Sequence, residues 1–451
     1  MKLKGTKFVD NISGLQIFQL LRFTIFLIIS IVFTKSHLSS ADIGKWEMFL
    51  FIAGMLTFFW VTGIIQSLLP LYHRNRTYRK MGDPDRGKSP EIFNAFVLLT
   101  LFSLFVFILG HSLKGSISVF HFSGNVPFIN LLLLYILLSS PVCLIEYIYL
   151  LNNRSHRILQ YGFYTFSVQL VMIIVPVLAG KDIIWSVYGL LAITLVRWVW
   201  LIILLRRYSK PEISVKFMKE HLYLGWPLII TSLISGSAQY VDGVIISSVY
   251  RDPALFAWFR YGAKEFPLVL LLANGLSNAM LPEFSVRAKM RESLAKLKLR
   301  SEKLMHILFP VTMVIMFFTR WFYPRLFAPE FHRSAGVFLV YALLIIPRLV
   351  FPQTIVIGRR KTQITMIAAV IELGLNIPLS LLMIKWGYGI VGVALATFIV
   401  YCVSKIYLAA YLWVKLKIKP SEYIPLKAFL VYSLLTTVVF LLVDRRIIDI
   451  Q

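Results

Sequence analysis

The stretch WFRYGAKEFPLVLLLANGLSNAMLP, Trp258 to Pro282, is apolar enough to lie in a membrane, yet it holds Arg260, Lys264 and Glu265. Arg260 and Lys264 are like charges four residues apart, and on a helix such a pair repels unless an anion rests against it. Read as one continuous helix, the stretch repeats Arg260, Lys264, Pro267, Leu271, Asn274 and Asn278 every three or four residues, which puts them in a single seam. Glu265 points roughly 100° away from Lys264 and neutralises only part of that charge. The chemistry this predicts is anion binding through charge-assisted hydrogen bonds.

Other charges stand at comparable depth. A lone charge at the centre of a spanning helix costs roughly 2.5–3.5 kcal/mol on insertion scales, so each should be paired, snorkelling or functional. Arg22 continues a polar stripe of Ser13, Gln16 and Gln19 in the first apolar run, turned toward neighbouring helices or a cavity. Thr231, Ser235, Gln239 and Asp242 share a face of the seventh run. Asp242 is level with Arg260 across the following hairpin, so an Asp242–Arg260 pair is expected, with Lys264 as the less committed cation. That pair reads equally well as a structural clasp. Arg348 follows Pro347 near the middle of the tenth run, with Glu372 in the eleventh as its expected internal partner. Glu146, Arg197 and Lys405 lie nearer the helix ends, where long side chains reach the interface or pair locally. The expected lining of a central cavity is therefore Arg22, Arg260, Lys264, Arg348, Gln19, Gln239 and Asn274. Asp242, Glu265 and Glu372 are its ion-pair or coupling candidates.

The elements that must position these residues are membrane spans. Of the 451 residues 58% are hydrophobic and only 15% charged, and the mean hydropathy is +0.76, far from a soluble composition. Apolar runs long enough to cross a hydrocarbon core of about 20 helical residues recur along the whole chain. They fall near 12–34, 43–70, 91–111, 128–151, 158–180, 183–205, 222–250, 254–282, 304–324, 335–357, 362–384, 388–414 and 425–443. The count is thirteen, with twelve to fourteen open because the last segment could be re-entrant; the ten-residue alternating strands of a β-barrel are absent. The net charge of +26 does not indicate nucleic acid, because thirty of the 47 Lys and Arg fall in loops on one side. The positive-inside rule then places the N-terminus in the cytoplasm.

Segments six spans apart match. GIIQSLLP (Gly63 to Pro70) and GLSNAMLP (Gly275 to Pro282) are offset by 212, YILLSSP (Tyr135 to Pro141) and YALLIIP (Tyr341 to Pro347) by 206, and Gly189 and Thr194 correspond to Gly392 and Thr397 at 203. The order and near-constant offset indicate a duplicated six-helix unit. The expected fold is an all-α polytopic membrane protein of two six-helix lobes, 1–210 and 211–418, with an additional membrane segment at 419–451. Val142 stands where the second lobe has Arg348, so that charge is not a requirement of the shared scaffold.

These features resemble the polysaccharide and oligosaccharide-lipid flippases of the multidrug/oligosaccharidyl-lipid/polysaccharide exporter superfamily. The resemblance rests on the six-plus-six plan, YVDGVIISSVY in the seventh span, FAWFRYGAKEFP in the eighth, and ELGLNIPLSLLMIKWGYGIVGVALAT across the eleventh and twelfth. It implies a V-shaped alternating-access transporter in a bacterial inner membrane. The implied cargo is a polyprenyl-pyrophosphate-linked oligosaccharide, a repeat unit of a polysaccharide or of the O-antigen of lipopolysaccharide. Membrane lipids are implied partners, as are a polysaccharide polymerase and glycosyltransferases, and coupling to H+, Na+ or the membrane potential. A cation-coupled multidrug exporter and a lipid II flippase are the alternatives within that superfamily. No catalytic residue, cofactor or metal ligand set is expected. P-loop and nucleophile-elbow motifs are absent, the eight histidines are scattered, and Cys143 and Cys402 both fall inside spans.

Overall fold

The computed structural model describes residues 11–78, 88–113, 126–285 and 290–444. The chain divides into two compact units, 1–236 and 237–451. The first holds α1 (Asn11–Thr34), α2 (Ser40–Tyr78), α3 (Pro90–Leu113), α4 (Ile129–Val142), α5 (Leu144–Leu151), α6 (Ser155–Leu178) and α7 (Ile183–Tyr208). The helix α8 (Val215–Tyr250) carries the chain from the first unit into the second. There follow α9 (Pro253–Gly262), α10 (Pro267–Ser285), α11 (Met290–Leu326), α12 (His332–Ala342), α13 (Ile345–Arg348), α14 (Pro352–Gly358), α15 (Thr362–Lys385), α16 (Gly389–Leu416), α17 (Pro420–Tyr423) and α18 (Leu426–Asp444).

Twelve described segments are long and apolar enough to cross a membrane by length and composition. The expected eighth span is the exception, because the single helix read over 254–282 is the broken pair α9 and α10. Pro267 favours the break: it has no N–H to donate back into the preceding turn, and its fixed φ suits the first position of α10. The carbonyl of Tyr261, released by the end of α9, accepts from the Tyr323 hydroxyl at 2.7 Å, as an apolar surrounding demands of any freed backbone group.

The duplication is legible in backbone conformation. Asn153 and Arg360 both take left-handed φ, 54° and 57°, at the turns before α6 and α15, and Gly180 and Gly387 do so at the turns after them, 75° and 85°. The hydrogen bonds repeat as well. Arg154 N–H reaches the Tyr149 carbonyl just as Lys361 N–H reaches that of Val356, and Lys181 to Pro176 is matched by Tyr388 to Met383. These are helix C-termini closed by a left-handed residue, which satisfies carbonyls that would otherwise lack donors. The fourth and tenth spans break at matching prolines, Pro141 in α4 and Pro347 in α13.

Each unit has its own core. In the first, Trp60, Ile64, Leu68, Ile145, Ile148, Tyr161 and Leu201 pack together. In the second, Phe284, Leu308, Phe309, Ile355, Leu408 and Tyr423 do so, with Tyr432 of α18 stacked on Phe309. The α6–α7 hairpin closes so tightly that a Cβ at Gly189 would lie 2.2 Å from the Met172 carbonyl oxygen, whereas one at Gly275 in α10 meets nothing within 4 Å. Gly189→Ala should therefore lose about 1–3 kcal/mol by overpacking, while Gly275→Ala should gain about 0.5–1 kcal/mol from reduced backbone entropy. Thermal unfolding of the two variants in detergent measures both signs, and a Gly189→Ala protein as stable as the parent would refute the packing argument.

Candidate functional site

In the second unit Arg348 and Glu265 form a two-pronged ion pair, Nε to Oε2 at 2.8 Å and Nη2 to Oε1 at 2.5 Å. The break between α9 and α10 frees Glu265 from any helix register and lets it reach α13. The third guanidinium nitrogen, Nη1, donates to the Tyr401 hydroxyl of α16, and the guanidinium carbon lies 4.6 Å over the Tyr401 ring. Glu265 therefore takes the role expected of Glu372. Glu372 is half-buried within electrostatic reach of Lys405 and Arg348, and Lys405 itself donates to the Gln353 carbonyl oxygen.

Asp242 of α8 is buried at 4% exposure. It accepts from the Tyr341 hydroxyl at 2.7 Å, the Thr397 hydroxyl at 2.6 and 2.7 Å, and the Asn376 amide at 3.2 Å. The same amide also donates to Thr397 at 2.9 Å, and Ser380 holds the Asn376 carbonyl oxygen at 2.9 Å. The expected Asp242–Arg260 pair is thus replaced by neutral donors from α12, α15 and α16. A buried carboxylate with every near partner neutral carries its charge uncompensated by any contacting cation, a state that monovalent cations and protons relieve.

The seam read across Arg260, Lys264, Asn274 and Asn278 also needs correction, since it requires one helix and the chain has two. Arg260 lies in the last turn of α9, Lys264 falls in the break with its ammonium 4.6 Å over the Tyr261 ring, and Asn274 is exposed on α10. On α8, Thr231, Ser235 and Gln239 are exposed together while Asp242 turns inward.

In the first unit the stripe on α1 is present, with Gln19 and Arg22 exposed. Arg22 makes no hydrogen bond or ion pair with a described residue, and Glu146 of α5 lies within its electrostatic reach. Arg197 donates from Nη2 to Gln169 at 2.7 Å and sits over the Phe166 ring at 5.4 Å. The Gln169 amide nitrogen and Arg197 Nε are buried without a hydrogen-bond partner. Sequence reasoning gave no role to Gln169, Tyr341, Asn376 or Tyr401. A signal existed: Glu372, Asn376 and Ser380 on α15, and Thr397, Tyr401 and Lys405 on α16, repeat every four residues, which places each set on one helix face.

A family model described as polysaccharide biosynthesis protein matches residues 38–336. No curated protein matches the chain in sequence. Among solved structures, the lipid II flippase MurJ in an inward closed conformation is similar over 96% of this chain and 93% of its own, with TM-score 0.67 and 18% identity. An inward-facing multidrug resistance MATE transporter of the MOP superfamily is similar over 92% and 94%, with TM-score 0.60 and 14% identity. A MOP superfamily transporter from Pyrococcus furiosus follows over 97% and 99%, with TM-score 0.53 and 12% identity. At these identities the likeness is one of fold.

Removing one member of the Arg348–Glu265 pair leaves the other charge uncompensated. Arg348→Met should therefore cost about 3–5 kcal/mol of stability, and Arg348→Met with Glu265→Gln markedly less. Melting temperatures of both single variants and the double variant complete the cycle. Additive losses would show that the two side chains are not energetically coupled.

Proposed function

We propose, from the premise that this chain belongs to the polysaccharide biosynthesis protein family, that it is a flippase. Its cargo on this reading is a polyprenyl-pyrophosphate-linked oligosaccharide, carried across a bacterial inner membrane by alternating access with the N-terminus in the cytoplasm. The observation that carries the reading is Arg22, a guanidinium in the middle of α1 that is exposed and lacks a hydrogen bond or ion pair among the described residues. A cation kept in that state in a spanning helix suits an anionic cargo, because a pyrophosphate supplies the charge-assisted hydrogen bonds the protein leaves unmade. Gln19 on the same stripe is exposed beside it and offers neutral hydrogen bonds of the kind that hold sugar hydroxyls.

Of the three coupling candidates, Asp242 is favoured. Glu265 already has Arg348, and Glu372 lies among cations, whereas Asp242 has only neutral partners that a proton or Na+ could join without breaking an ion pair. The membrane potential adds to this: with the inside negative, each negative charge moved outward across the full field gains about 2.3 kcal/mol per 100 mV.

Lipid II is the second cargo considered, favoured by the likeness to the MurJ flippase fold, and it shares the pyrophosphate that Arg22 would bind. In proteoliposomes loaded with an undecaprenyl-pyrophosphate oligosaccharide, Arg22→Ala is expected to slow transport about tenfold or more, the loss of one charge-assisted contact. Asp242→Asn is expected to abolish the dependence of rate on an imposed H+ or Na+ gradient. A parallel arm with lipid II separates the two cargoes. Efflux of organic cations without lipid transport would move the protein to the drug exporters, and full lipid transport by Arg22→Ala would remove the proposed role of Arg22.

A further inference from the structure

A cavity of about 480 Å³ lies within the second unit at the end where α8 finishes, lined by Tyr250, Arg320, Arg333, Tyr388 and Asp444 together with the first residues of α16. On the orientation proposed above this is the non-cytoplasmic face. The cavity shares no side chain with the Arg348 or Asp242 clusters.

Its lining holds several donors that have no partner among the described residues. Arg333 is exposed, and its guanidinium makes no hydrogen bond or ion pair among the described residues; it lies 5.0 Å over the Trp258 ring. Arg320 spends Nε on the Val443 carbonyl at 2.8 Å and Nη2 on the Asp444 carbonyl at 3.1 Å, which leaves Nη1 uncommitted. The phenol groups of Tyr250 and Tyr388 have no hydrogen-bond partner among the described residues, and Tyr388 is 56% exposed. The long helix α16 begins here at Gly389 with no side-chain cap. Against these donors stands one carboxylate among the described lining residues, Asp444, whose Oδ1 is 3.7 Å from Arg320 Nη2.

Two guanidinium groups with spare N–H groups and one matched carboxylate select an oxyanion, and a planar fork fits a phosphate. The volume falls within the roughly 300–1,000 Å³ of small-molecule pockets, well beyond a bare phosphate, and the two tyrosines offer hydroxyls and ring faces to the remainder. We infer that this cavity binds a phosphate ester of a polyol, with Arg333 and Arg320 on the phosphate and Tyr250 and Tyr388 on the polyol. The chemistry is that of a phosphatidylglycerol headgroup and equally of a soluble glycerol phosphate. The site is independent of what the chain transports.

Two arms test it on the full-length protein. In detergent, calorimetric titration with glycerol 3-phosphate is expected to saturate, and Arg333→Glu and Tyr388→Ser each to weaken binding, the former about tenfold or more. Native mass spectrometry is expected to show phosphatidylglycerol retained over phosphatidylcholine, with retention lost in Arg333→Glu. Both variants alter exposed side chains, and melting temperatures verify their folding. A response in the lipid arm alone identifies a headgroup, one in the soluble arm alone a free phosphate ester, and both support the site. Silence in both arms, or binding indifferent to Arg333→Glu, overturns it.

Discussion

The arrangement of the second unit turns on Pro267. Lacking an N–H, it stops α9 at Gly262 and begins α10 afresh, and the short break between them escapes helical register. Glu265 lies in that break and from there meets Arg348, which sits just before a second interruption, between α13 and α14. The guanidinium then adds Tyr401 of α16. The ion pair and this hydrogen bond thus tie the α9–α10 break to α13 and α16, and two helix breaks that would be liabilities in lipid become the places from which charges reach one another. Tyr323 completes the economy by donating to the carbonyl that the first break exposes.

The two units share a scaffold and differ in the polar chemistry set on it. Their turns before and after α6 and α15 repeat residue by residue, down to the left-handed position in each. At the Gln169 position of the first unit the second has Asn376, on the same offset as those turns. In the first unit the amide accepts from Arg197; in the second it donates to Asp242 and Thr397. The duplicated frame places an amide at the same level in both units, and the charge it serves is opposite in sign.

Much of this architecture was legible in the sequence because it follows from length and composition: apolar runs, and repeated segments such as YILLSSP and YALLIIP. The family resemblance drawn from the same segments agrees with the matching family model. The site was less legible, for an identifiable reason. Reading Trp258 to Pro282 as one helix fixed the relative angles of Arg260, Lys264 and Glu265, and the break at 263–266 removes that fixed relation. Asp242 was recognised as buried and in need of partners, but a carboxylate in a membrane invites a search for cations. Its partners are a tyrosine, a threonine and an asparagine, residue types whose polar role depends on which helix face meets which, and that is tertiary information.

The distribution of paired and unpaired groups bears on mechanism. Arg348 ties the break after α9 to α16 through Glu265 and Tyr401, so offering it to a cargo would leave a half-buried carboxylate without its cation. Arg22 makes no hydrogen bond or ion pair among the described residues, with Glu146 only within electrostatic reach, so on the proposed reading a cargo binds and leaves it without breaking an ion pair. The same reasoning separates the carboxylates. A cation arriving at Glu265 would compete with an arginine, while one arriving at Asp242 has only hydroxyl and amide hydrogens to rearrange, motions of a bond rotation rather than the rupture of an ion pair. On this reading reversible binding is confined to the groups that the fold does not need, which lets cargo and coupling ion exchange while the helix breaks stay locked.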